Sequence, residues 1–323
     1  MSRGYRIGQY FQFIVQRNVL PWVISFLVLI ILGIIAPSVL SGYSLTSMIV
    51  GAIPIMLMAA GEIVVMITGS IDLSLASSLG FASMIGAIMI SNANFPGIVV
   101  FPIICILGAV IGLVNGLVIT KGKLQSFIVT LGTGVILRGL MLVFSGGTSI
   151  PLKNIGKDPL FSFLVKTVGG IPLYSIIAIL VVALLAVIIT NTRFGRYLYA
   201  LGGNEIAARM VGLKADRLRI QAFVIAGILY ALGGITLLLI FGSGWPQAGS
   251  GWEMDGIAAS VLGGANFAGG VGSPLGAIPG AIILDLITRF LAVLGINPYW
   301  QSAIKGIFVI GIAVALARGE YGR

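Results

Sequence analysis

Asp72 stands in the run ITGSIDLSLASSLG, residues 67–80, among the hydroxyl residues Ser70, Ser74, Ser77 and Ser78. No charged residue follows it until Lys121. A carboxylate in so apolar a setting can close a surface loop, cap a helix, hold a polar solute or relay a proton. The helix N-terminus is the leading assignment, because Ser70 and Ser74 flank the acid and free amides at a helix start favour negative charge. Glu62 precedes Asp72 by ten residues. On one unbroken helix the two are expected to diverge, which gives no local support to a two-carboxylate hydrolase. Arg138, in VILRGL, has no acid near it in sequence. It is expected to meet Asp72 or Glu62 across a bundle, to cap carbonyls, or to snorkel outward. Asp285 and Arg289 lie four apart, acid first, and suit an ion pair on one helix. Lys305 suits a snorkelling role at the outer boundary. Asn115 and the serines are neutral groups that suit either a hydroxylated solute or a neighbouring helix.

Several chemistries are excluded. The chain has no histidine and one cysteine, Cys105. A disulfide within the chain, a Cys/His metal site and histidine-based acid–base catalysis all lack their residues. No catalytic residue and no cofactor is expected. The nearest imitation of a phosphate-binding loop, from Gly116 to Gly122-Lys123-Leu124, is one residue too long and carries leucine where Ser or Thr would hold magnesium. GGVGSPLG, residues 269–276, misses the dinucleotide spacing.

The elements that must position these residues are membrane helices. Of 323 residues 58% are hydrophobic and 9% charged, with mean hydropathy +1.13. A soluble domain carries about 25% charged residues, so the solvent here is largely lipid. With about 20 apolar residues per span, the pattern predicts an all-α polytopic protein of about ten spans. They cover residues 20–40, 45–67, 71–91, 97–120, 127–145, 171–191, 220–241, 256–269, 274–294 and 298–317. The run 19–36 is too long for a cleaved signal core of about 7–15 residues.

The net charge of +10 follows the positive-inside pattern rather than a nucleic-acid surface. With Arg3, Arg6 and Arg17 inside, Lys121, Lys123 and the basic residues of 192–219 also fall inside, as do Arg318 and Arg323. Both termini are then inside. The interval 146–170, with Lys153, Lys157 and Lys166, falls outside and weakens the pattern. No soluble domain fits, so residues 1–323 form one transmembrane domain. Cys105 reads as a packing residue.

Two glycine-rich stretches, 69–80 and 264–276, share glycine and serine spacing, and the second holds Asn266. They suggest an internal repeat with broken or re-entrant helices near a solute path. Chance similarity among 46 glycines is the alternative. In the interval 192–219, Gly202-Gly203-Asn204 is a turn and cap signal. Asn204 can cap a helix that begins at Glu205. Glu205 and Arg209 are four apart, Ala207 and Ala208 leave a smooth face, and Gly212 can end the helix. This is either an ordinary interfacial loop or a docking knob for a cytoplasmic partner.

At this point a resemblance emerges. GRYLYALGGNEIAARMVGL resembles the coupling loop of the ribose/xylose/arabinose-type permeases of ATP-binding cassette importers. GSIDLSLAS, FIVTLGTGVILRG, DGIAASVLGGANFAGGVGSPLGA and GINPYWQSAIKG resemble further segments of that family, in order across residues 69–306. The resemblance implies a multi-pass protein of the bacterial inner membrane that works as a homodimer and catalyses no covalent chemistry. A cytoplasmic ATPase pair would dock on Asn204, Glu205, Ala207, Ala208, Arg209 and Gly212, and an extracytoplasmic binding protein would deliver a monosaccharide or similar small polar solute. Candidate residues of the path or its gate are Asp72, Ser74, Ser77, Asn115, Arg138 and Asn266. Ser70, Ala76 and Glu205 depart from the family pattern and leave the solute open. The rival readings are an ion-coupled secondary transporter using Asp72, Glu62 and Arg138, and an intramembrane enzyme. No sustained polar stripe is expected for the former.

Overall fold

The computed structural model describes residues 19, 21–152, 158–297, 300, 301, 303, 304, 306 and 307. The helices are α1 (Pro21–Ile35), α2 (Gly42–Ile67), α3 (Leu75–Ser91), α4 (Gly97–Gly122), α5 (Ser126–Ser145), α6 (Pro159–Leu164), α7 (Leu173–Asn191), α8 (Arg193–Gly203), α9 (Glu205–Met210), α10 (Ala215–Phe241), α11 (Trp252–Leu262) and α12 (Ala277–Val293). Four short strands, β1 (Ile150–Pro151), β2 (Thr167–Val168), β3 (Ile171–Pro172) and β4 (Ser243–Gly244), form two antiparallel pairs, β1 with β4 and β2 with β3.

Among the described residues six helices are long and apolar enough to cross a membrane: α2, α4, α5, α7, α10, and α12 with the short turn before it. The predicted spans 71–91 and 256–269 are shorter than expected, because glycine-rich backbone takes one end of each. Gly69 turns the chain with φ +73°, so α3 begins only at Leu75. Its 17 residues reach about 25 Å, less than the ~30 Å of a hydrocarbon core. α11 stops at Leu262, and Gly264, Gly269, Gly270 and Gly272 all take positive φ in the stretch that follows. Conversely, α10 begins at Ala215 rather than 220, since no Gly or Pro interrupts the polar residues before Ile220. Most of the predicted span 298–317, and Arg3, Arg6, Arg17, Lys153, Lys157, Lys305, Arg318 and Arg323, lie outside the described residues.

α2 and α10 form the buried centre. From Ala52 to Ile67 every residue of α2 except Ile55 is buried. α10 packs on α4 through a stripe of Gly108, Gly112 and Gly116. A side chain on any of the three would run into α10 at Gly227, Phe223 or Ile220. Small residues at four-residue spacing let two membrane helices approach to backbone contact, where dispersion replaces the missing hydrophobic force. The opposite face of α4 (Ile106, Val110, Leu113, Leu117) is exposed and apolar, as a lipid-facing surface must be.

The two polar intervals lie on opposite faces. Asp158 accepts from the Gly97 amide at 2.6 Å, which seats the interval 146–170 over the start of α4. Lys121, near the far end of this 26-residue helix, is about 36 Å away and acts electrostatically on Asp216 at the start of α10. The α8–α9 segment therefore shares the face of Lys121.

Candidate functional site

The interruption between α2 and α3 is held by side chains, amide by amide. Backbone buried inside the bundle has no water to satisfy it, so each N–H needs a partner from the protein. The Ile71 amide donates to Ser126 Oγ at 3.0 Å. The Asp72 amide donates to Glu62 Oε1 and Oε2 at 3.2 and 3.3 Å. The Leu73 amide donates to Thr130 Oγ1 at 2.9 Å. The Ser74 amide donates to Asp72 Oδ1 at 2.8 Å, and the Ser74 hydroxyl donates to the same oxygen at 2.6 Å. Asp72 thus closes the turn before α3 through Ser74, which itself holds the N-cap position, so the carboxylate bonds no amide of the helix.

The same network reaches three further helices. Asn115 Nδ2 of α4 donates to Ser74 Oγ at 3.0 Å, and Thr133 Oγ1 of α5 donates to Asn115 Oδ1 at 2.6 Å. Tyr230 of α10 donates its hydroxyl to Glu62 Oε2 at 3.1 Å. Glu62, Asp72, Ser74, Asn115 and Thr130 are all buried. Ser77 is buried on α3 against Gly134 of α5, and Ser78 Oγ is buried without a hydrogen-bond partner among the described residues.

This arrangement corrects two expectations. Glu62 and Asp72 do come together: the helix breaks between them, and the turn lays the Asp72 amide over the Glu62 carboxylate. Arg138 meets neither acid. It forms an ion pair with Glu253 and donates to the Gly249 carbonyl at 3.1 Å, so of the three expected roles only the binding of a carbonyl is seen. Three hydroxyls at the start of α5 serve the network: Ser126 and Thr130 hold the break, and Thr133 holds Asn115 of α4. Their spacing of four and three is legible in SFIVTLGT, but only a known break gives it meaning. Nothing in sequence pointed to Tyr230, 168 positions from its partner. Asp285 and Arg289 pair as expected.

The second glycine-rich stretch folds around Asn266. Its side chain accepts from the Ala268 amide at 3.0 Å, and its carbonyl accepts from the Gly269 amide at 3.1 Å. The two stretches then join: the Gly270 amide donates to the Ile67 carbonyl, the last of α2, at 3.0 Å. α8 caps this junction. Tyr199 donates to the Gly272 carbonyl at 2.6 Å, and a side chain at Gly202 would overlap both the Ile67 carbonyl and the Gly270 amide. Gly202 and Gly203 are therefore the last turn of α8, not the loop that the sequence suggested.

Beyond them the expected capped helix is present. Asn204 Oδ1 accepts from the Ala207 amide at 2.9 Å, and Gly212 takes φ +84° just past the end of α9. Arg209 pairs with Glu205 at 2.8 Å and with Asp216 at 2.5 Å, while Arg219 pairs with Glu205 at 2.7 Å. The hydrogen-bonded Arg219 and Arg209 hold the Glu205 carboxyl below its ordinary range. α9 is thereby strapped to the start of α10. Ala208 is buried, Ala207 is exposed, and Ile206, Met210 and Val211 are 71%, 83% and 77% exposed beside the paired charges of Glu205 and Arg209.

An apolar bundle with two interrupted helices bound to each other, with α8 gripping the junction and the strapped α9 beside it on one face, defines a multi-pass membrane permease. Residues 44–313 match the family described as branched-chain amino acid transport system / permease component, and the chain belongs to that family. It is 37% identical over 325 residues to the galactose/methyl galactoside import permease protein MglC of Haemophilus influenzae, covering 93% of this chain and 94% of that one. It is 37% identical over 309 residues to the ribose import permease protein RbsC of Bacillus subtilis, covering 94% of each. Against the RbsC of Escherichia coli K12 the identity is 35% over 255 residues, 79% of each chain. These relatives are import permeases, and this chain is a transport subunit rather than an enzyme.

Proposed function

We propose that this chain is the membrane permease subunit of an ATP-binding cassette importer for a sugar or similar small polar solute. It would work in the bacterial inner membrane as two copies, with about ten spans each and both termini in the cytoplasm. A separate ATPase pair would dock on α9, and an extracytoplasmic binding protein would deliver the solute to the opposite face. The observation that carries this reading is the double role of the α8–α9 segment. It exposes Ile206, Met210 and Val211 to water, where apolar side chains on a charged helix mark a contact surface. It also grips the junction of both interrupted helices through Gly202 and Tyr199. A partner that moved α9 would therefore move the breaks, with Asp72, Ser74, Ser77, Asn115 and Asn266 around them. Arg138 and Glu253 stand apart from the breaks and would belong to the outer part of the path.

The test is reconstitution in liposomes with and without a partner ATPase subunit. Uptake of ribose or galactose that needs ATP and the partner is the expected result, and Arg209→Glu or Gly212→Arg should uncouple it. Uptake by the chain alone would sink the proposal. The second reading, an ion-coupled transporter, draws on the two buried carboxylates in one network. It requires uptake driven by a proton or sodium gradient and abolished by Asp72→Asn.

A further inference from the structure

A cavity of about 220 Å³ opens on the flank of the bundle between α4 and α7. Phe101 and Cys105 of α4 and Ile177 and Val181 of α7 line it, with Leu57 of α2 and Ile235 of α10. The α4 and α7 residues are half-buried or exposed, whereas Leu57 and Ile235 are buried. The cavity therefore runs inward from the flank to the two helices of the buried centre. None of the roles assigned so far uses this space.

The lining has nothing to hold water or a polar solute. Among its described residues only Thr236, Tyr174 and Cys105 bring a polar side-chain atom. The Thr236 hydroxyl already donates to the Gly233 carbonyl at 2.8 Å, and a thiol is a weak donor. A buried water needs about two to four polar partners, and an apolar cavity of this order stays dry. Left empty, its walls would forfeit dispersion contacts. Ile106 and Leu180, on the same two helices outside the lining, are exposed and apolar, the surface that hydrocarbon covers. Hydrocarbon is thus the material that already lies against the opening.

One end of the cavity also carries a charge. Leu164, the last residue of α6, and Tyr174, the second of α7, line the end on the 146–170 face. Lys166 lies between them in the chain, and its carbonyl accepts from the Leu173 amide at 2.8 Å, which fixes it over the start of α7. Its side chain is exposed, and it forms no ion pair among the described residues. Phe163 and Val168 beside it are 50% and 60% exposed. A lysine among exposed apolar side chains at the end of a span suits the membrane interface, where an ammonium binds phosphate as a point charge.

We infer that this groove holds one acyl chain of a phospholipid whose phosphate meets Lys166, a bound lipid distinct from the exchanging bilayer around it. The inference needs only the membrane class and is independent of the importer reading. The chain touches both α2 and α10, and α2 ends at the Ile67 carbonyl that the Gly270 amide holds. An occupied groove therefore braces the helix that leads into the first break.

The test is photocrosslinking of the whole chain in nanodiscs of phosphatidylcholine. A trace of phosphatidylglycerol carries a diazirine midway along one acyl chain, and adducts are located by peptide mass spectrometry. They should concentrate on Phe101, Cys105, Ile177 and Val181 rather than on Ile106 and Val110, which are exposed on α4 outside the lining. Cys105→Trp should fill the groove and remove the adducts from Phe101, Ile177 and Val181. Val181→Trp should do the same from the opposite wall, so the outcome does not hang on one variant that fails to fold. Val110→Trp should leave the parent pattern. Lys166→Gln should cut the phosphatidylglycerol adducts about fivefold, the share of one lysine beside anionic lipid. An even spread of adducts over Ile106, Val110 and the groove would overturn the inference. So would reaction at Ile106 and Val110 with none in the groove, as follows if a second copy or another segment covers it. Adducts that survive both tryptophans, or full labelling of K166Q, would overturn it as well.

Discussion

Glu62→Ala is expected to destabilise the protein more than any other single change within the buried polar network. The side chain is fully buried and accepts from two donors, the Asp72 amide and the Tyr230 hydroxyl. A side-chain hydrogen bond within a membrane bundle is worth only about 0.6 kcal/mol on average, because freed groups find other partners. The Asp72 amide has no such freedom. Its neighbours Ile71 and Leu73 are fixed by Ser126 and Thr130, so it stays aimed at the lost carboxylate. A stranded buried donor costs about 1–3 kcal/mol, and two cost about 2–6 kcal/mol. Against a total stability of about 5–15 kcal/mol that is a large fraction. At about 2–4 °C per kcal/mol the thermal midpoint should fall by roughly 5–20 °C. The assay is thermal unfolding in nanodiscs followed by size-exclusion recovery. Glu62→Gln keeps one acceptor oxygen and should fall less. Tyr230→Phe strands no donor and should cost less than Glu62→Ala. In the double variant E62A/Y230F the hydroxyl that Glu62→Ala strands is gone, so the coupling should be about 1–3 kcal/mol. The reasoning fails if E62A melts with the parent. It also fails if E62Q is as damaging as E62A, since charge rather than acceptance would then be the cause.

Three further outcomes follow from the same geometry. Gly112→Leu should lower the yield of folded protein by forcing α4 off α10, where overpacking costs about 1–3 kcal/mol or more. Gly132→Ala, on a part of α5 with no atom near the added carbon, should match the parent in the same recovery assay. Arg138→Leu strands Glu253. The figure for a buried pair, about 3–5 kcal/mol, must be reduced because these side chains are 28% and 22% exposed, so about 1–3 kcal/mol is expected, and R138L/E253L should recover part of it. Arg219→Met removes a partner that depresses the Glu205 carboxyl in the folded state. A depressed carboxylate stabilises the fold fully above its unfolded value, ordinarily 4.5, and that stabilisation fades as pH falls through the lower folded value. The melting difference between R219M and parent should thus be present at pH 7 and shrink in acid below that range. A difference that grows in acid would contradict the assignment.

Much of this protein is written in its sequence. Apolar runs of membrane length must become helices, and such a shortage of charge leaves no surface for water, so the membrane class follows from composition alone. The Asn204 cap, the Glu205–Arg209 pair and the Asp285–Arg289 pair were legible because their partners lie within four residues. The packing of the α4 glycines on α10 came only from the structure, because their partner helix lies about a hundred residues away. What only the tertiary structure decided is where the chain leaves the helix and what then satisfies the freed backbone. Gly69 and the 263–273 stretch bend the chain beneath α8, and from there the partners are set by the bundle. Glu62 meets the Asp72 amide because the break turns it back, Tyr230 arrives from α10, and Arg138 is taken by Glu253. Hydropathy carries no information on such pairings, since a buried polar group is matched by whichever helix the packing brings opposite it.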